Sequence, residues 1–85
     1  MEMVIGPYML RFPDDVKHET FACDDYYGVQ FKVDGVKYEV LCNRHMGPRI
    51  IISEGECSWK DMPFHMGTAG FLPDCITTEK LAPIV

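Results

Sequence analysis

Apolar and polar positions alternate most regularly between Val29 and Cys42, on both sides of Asp34-Gly35. Asp-Gly is a favoured pair for a two-residue type I′ turn, because both of its central positions need φ > 0. That turn sets Val33 opposite Val36, Phe31 opposite Tyr38 and Val29 opposite Val40, with all six side chains on one face. Gln30, Lys32, Lys37 and Glu39 then share the other face. Turn chemistry and period-2 alternation specify the same register, so this hairpin is the organising element.

The rest of the pattern is shorter. Tyr8, Leu10 and Phe12 alternate against Met9 and Arg11, which predicts a strand over Tyr8–Phe12 behind Pro7. Pro13-Asp14-Asp15-Val16-Lys17-His18-Glu19 has a helix-start composition: proline first, acids at the positive end of the dipole, bases later. Arg49-Ile50-Ile51-Ile52-Ser53 predicts a central strand covered on both faces, preceded by a turn over Asn43–Pro48. Ser53-Glu54-Gly55-Glu56 predicts another turn. Ser58-Trp59-Lys60-Asp61 has capping-box spacing, with Pro63 limiting the helix to about one turn. Beyond Pro63 little regular structure is expected, apart from a helical turn over Thr78–Ala82. The fold class is mainly β, or α+β with little helix: a small antiparallel sheet around the central hairpin, with one or two short helical turns.

Composition narrows the class further. A chain of 85 residues that is 47% hydrophobic and 25% charged is a single folded domain, not a disordered one. The N-terminal Met1-Glu2-Met3-Val4-Ile5-Gly6-Pro7 has an acid where a secretory signal has bases, and no run approaches the ~20 apolar residues of a membrane span. A cytoplasmic location is therefore expected, with no membrane partner. In that reducing compartment Cys23, Cys42, Cys57 and Cys75 are expected as free, mostly buried thiols.

Charge points to a partner class. The net charge is −5, which opposes direct nucleic-acid binding and suits a larger protein with a basic surface. Asp14, Asp15, Glu19, Asp24 and Asp25 stand against Lys17 alone between residues 13 and 25, and the stretch runs into Tyr26-Tyr27. Adjacent tyrosines at a strand start cannot both face inward. Asp14, Asp15, Asp24, Asp25, Tyr26 and Tyr27 are therefore the candidate partner-binding residues, with tyrosine as anchor and carboxylates as electrostatic complement. Arg44, His45 and Arg49 form a smaller, opposite patch. The apolar residues from Trp59 to Phe71 are core lids, some of which offer an exposed anchor.

Sites of chemistry are weaker. Cys42, His45, Cys57 and His65 supply a Cys2His2 zinc set, but their spacings match no common finger pattern. Cysteine–histidine pairs arise by composition alone, and no nucleophile elbow, Walker loop or dinucleotide fingerprint is present. No catalytic residue, metal or cofactor is expected, and the chain reads as a non-enzyme. In size and composition it is similar to the stand-alone inhibitors that viruses direct against host defence nucleases, such as anti-CRISPR and anti-restriction proteins, although no motif carries that likeness. The leading expectation is a protein-binding domain that occludes a basic site. The alternatives are a zinc-stabilised domain and an accessory subunit that completes a partner's sheet. A homodimer is a further possible state.

Overall fold

The computed structural model describes residues 1–55 and 58–82. Among these residues, eight strands form two antiparallel sheets. β1 (Glu2–Ile5), β2 (Tyr8–Arg11) and β8 (Thr77–Lys80) make the smaller sheet, in the order β1-β2-β8. β3 (His18–Ala22), β4 (Tyr26–Val33), β5 (Val36–Asn43), β6 (Gly47–Glu54) and β7 (Ser58–Pro63) follow one another as a five-stranded meander. A 3-10 turn over Met66–Phe71 leads into β8. The mainly-β expectation holds.

The hairpin forms in the register its sequence dictates. Val33 pairs with Val36, Phe31 with Tyr38, and Val29 with Val40. Asp34 and Gly35 have φ of 52° and 82°, as a type I′ turn requires. The apolar face of this hairpin, extended by Ile50 and Ile52 of β6, packs against Ile5, Tyr8 and Leu10 of the small sheet. Phe12, Phe64, Leu72 and Ile76 close the core from the connecting segments. Rings interlock there: Phe12 meets Phe31 edge-on at 5.1 Å, and Tyr8 meets Phe64 edge-on at 4.8 Å.

Close packing also fixes the middle of the large sheet. A Cβ on Gly28 would lie 2.3 Å from the Val40 carbonyl oxygen and 2.8 Å from Leu41 Cβ. Only glycine lets β4 and the Leu41 side chain approach this closely.

Five sequence expectations are corrected. The helix over residues 13–19 is a turn at Asp14-Asp15 followed by β3 from His18; under two turns of helix could not persist, whereas β4 supplies a pairing edge. Ser58–Asp61 begins β7, since pairing Ile52 with Lys60 and Ile50 with Met62 outweighs one capped turn. The Thr78–Ala82 turn is replaced by β8, which pairs with β2 through Leu10 and Thr78. β6 is central as expected, but its outer face is open: Ile50 and Ile52 are buried, whereas Ile51 is half-buried between Glu39 and Asp61. The turn before it is also shorter than expected, because Gly47 and Pro48 already pair with Asn43 and Cys42.

Candidate functional site

Strand β3 divides the six candidate residues. Asp14 and Asp15 occupy the turn before it, and Asp24 and Asp25 the turn after it. Five extended residues separate the ends of β3 by about 13 Å, so the two acidic pairs are not one cluster. Asp24, Asp25, Tyr26 and Tyr27 remain together.

The β3–β4 turn is tight, closed by the Cys23 N–H donating to the Tyr26 carbonyl at 2.8 Å. The two tyrosines then diverge to opposite faces, as alternation demands. Tyr26 lies on the outer face, edge-on to Phe21 at 5.8 Å. Tyr27 lies on the inner face, where its hydroxyl accepts from the Gly6 N–H at 3.0 Å and anchors the β1–β2 turn. Even so, both keep substantial exposure, 41% and 38%. The Tyr26 phenol ionises above its ordinary range, chiefly because it is hydrogen-bonded to Cys23. Asp14, Asp15, Asp24 and Asp25 are exposed, and none has a cation at ion-pair distance among the described residues.

Basic groups sit closer to these acids than the linear order suggests. The Arg44 N–H donates to the Asp25 carbonyl at 2.8 Å, which brings the β5–β6 turn beside the β3–β4 turn. Arg44 and Asp25 line one hollow of about 240 Å³ with Tyr26 and Tyr27. Arg49 is drawn away into an ion pair with Asp61 at 2.8 Å, so Arg44, His45 and Arg49 do not form one basic patch. At the far end of β3, Asp14 lines an open groove of about 630 Å³ with Lys17, Glu19, Phe31, Lys32 and Lys37.

The zinc set is not assembled by the residues that can be placed. Cys42 is half-buried on β5, and His45 lies in the β5–β6 turn, whose amides at His45 and Met46 donate to the Asn43 side chain. His65 caps the 3-10 turn, accepting from the Gly67 N–H at 3.1 Å. Cys57 lies outside the described residues. Among the described residues, no three His, Cys, Asp or Glu side chains converge on a metal position. Cys23, Cys42 and Cys75 are free thiols; Cys23 and Cys75 are exposed where buried side chains were expected.

The sequence reading missed β3 itself. Its Phe21 and the open edge beside it were hidden by the helix-like composition just upstream. The signal was there in Thr20-Phe21-Ala22, which faces Tyr27-Gly28-Val29 across an Asp-Asp turn. Phe64 and Met62 join the core as expected, whereas Trp59, Met66 and Phe71 are exposed; Trp59 and Phe71 line one hollow near β7, with Lys60 6.0 Å from the Phe71 ring centre. No helix is long and apolar enough to cross a membrane among the described residues. In comparisons with known proteins, no family model, no curated protein and no solved structure matches the chain.

Proposed function

We propose that this chain is a small non-enzymatic protein-binding domain whose contact end is the β3–β4 turn, and whose partner is a larger protein with a basic surface. The observation that carries the reading is the pairing of Asp24 and Asp25, which have no cation at ion-pair distance among the described residues, with two exposed tyrosines that open the next strand. Carboxylates on a solvated turn steer association, while a tyrosine held by its strand supplies contact area at little entropic cost. Acid–base chemistry would need these carboxylates sheltered from water, and they lie on an exposed turn.

A finer form of the proposal is inhibition by occlusion. The carboxylates take up Arg and Lys groups that would otherwise hold nucleic-acid phosphates, in the manner of anti-CRISPR and anti-restriction proteins. The net charge of −5 supports this form. Work in a reducing cytoplasm accords with the free Cys23, Cys42 and Cys75.

The test is site-directed photo-crosslinking in cells of the source organism. A benzophenone side chain at position 26 should give a protein adduct that Asp24→Lys/Asp25→Lys reduces about tenfold or more. The same probe at Val4, on the outer face of the small sheet, should not give it. Equal adducts from both positions, or an adduct indifferent to the charge reversal, would overturn the reading.

A further inference from the structure

The two acidic pairs that β3 separates acquire a joint meaning once its edge is considered. β3 is the first strand of the meander and pairs only on its β4 side. Cys23 and Tyr26 form a hydrogen-bonded pair, and such pairs alternate along an antiparallel ladder. Phe21 and Glu19 therefore turn their backbone groups to β4. His18, Thr20 and Ala22 turn their N–H and C=O groups to the open side. Thr20 and Ala22 are exposed there, and no proline interrupts the row.

We propose that this edge is a docking strand that accepts an extended segment of the partner as a sixth strand of the sheet, and that the segment carries Arg or Lys beyond both of its ends. The inference rests on the protein-binding reading above and names the partner element. Backbone pairing to His18, Thr20 and Ala22 supplies the register. Asp14 and Asp15 at one end, beside a groove that also holds Lys17, Lys32 and Lys37, and Asp24 and Asp25 at the other, beside Arg44, are the carboxylates that meet these basic flanks in either strand direction. Phe21, half-buried against Tyr26, gives the added strand an apolar neighbour on the outer face. The groove beside Asp14 and Phe31 receives a side chain at the start of β3.

The same charges disfavour pairing with a second copy of this chain in the register centred on Thr20. An antiparallel β3–β3 pair symmetric about Thr20 sets Asp25 of each copy opposite Asp15 of the other. That places like charges together at both ends of the ladder. A basic-flanked segment meets no such conflict.

The probe is a synthetic, end-capped peptide with a Lys-Arg pair at each end of a Thr/Val alternation, titrated into the full chain and followed by amide-resolved NMR. The amides of His18, Thr20 and Ala22 should shift and exchange more slowly with solvent. Affinity should fall about tenfold or more when the peptide ends are Glu-Asp, or when its pairing amides are N-methylated. These comparisons use the wild-type protein, so they do not depend on a variant that folds. Shifts confined to β7, or an N-methylated peptide that binds equally well, would overturn the proposal. In the crosslinking assay, loss of the position-26 adduct in both Thr20→Pro and Asp24→Lys/Asp25→Lys supports it. An adduct lost only in the charge reversal refutes strand addition and leaves the function standing. An adduct lost in neither refutes both.

Discussion

The two edges of the large sheet, β3 and β7, present the same row of unpaired backbone groups but guard it differently. β7 holds Lys60 within the strand, ends at Pro63, and is tied to β6 by the Arg49–Asp61 ion pair. Those features discourage pairing outright, since an inward lysine and a proline reject any added strand. β3 holds neither a lysine nor a proline; its one carboxylate, Glu19, accepts from Gln30 of β4, and the other acids lie in the turns at both ends. A lysine and a proline within an edge strand block every partner, whereas charge beyond its ends filters partners by sign. The contrast distinguishes a protected edge from a selective one.

The severest way to break this comparison is to remove what holds β3 in place. Gly28→Val sets side-chain atoms against the Val40 carbonyl and Leu41, so it should destabilise by about 3 kcal/mol or more, read as the urea midpoint. An unchanged midpoint would mean that β4 and β5 are not packed as described. Gly35→Val acts on the turn between the strands that carry the two edges. It should cost about 1–3 kcal/mol, because a β-branched side chain resists the φ of 82°. Both edges should loosen together in hydrogen exchange, and a loss confined to one edge would contradict a shared hairpin.

Smaller changes should separate the edges. Arg49→Ala removes a partly exposed ion pair and should cost about 1 kcal/mol, with faster amide exchange along β7 and none added along β3. Equal loosening of both edges would show that the ion pair does not act locally. Thr20→Pro removes an outward N–H that β4 does not use, so its stability cost should stay below about 1 kcal/mol. A larger drop in the urea midpoint would show that the Thr20 amide is engaged within the fold.

How much of this was legible in the sequence depends on the range over which each element is stabilised. The hairpin around Asp34-Gly35 is specified locally, because the turn and both arms encode one register. β3, β7 and β8 are decided by a neighbour's edge. Residues 13–19 and 58–61 carry sound helix-start signals, and each is too short to hold a helix against a strand that offers a full ladder. The site follows the same rule. Tyr26 and Tyr27 could be read as a pair that faces both ways, since alternation is local. The splitting of Asp14 and Asp15 from Asp24 and Asp25, and the approach of Arg44 to Asp25, depend on β3 lying flat beside β4.

The small sheet closes through β2 and β8, which pair Tyr8 with Lys80 and Arg11 with Thr77. Nearly the whole chain lies between those partners, so the loop that must close is almost as long as the protein. The entropy of that closure comes due before the contacts that offset it, and folding slows accordingly. On the ribosome the meander can form hairpin by hairpin as it emerges. The N-terminal β1–β2 hairpin, made first, has to wait for β8 to complete its sheet. Until β8 is available, one side of β2 stays open.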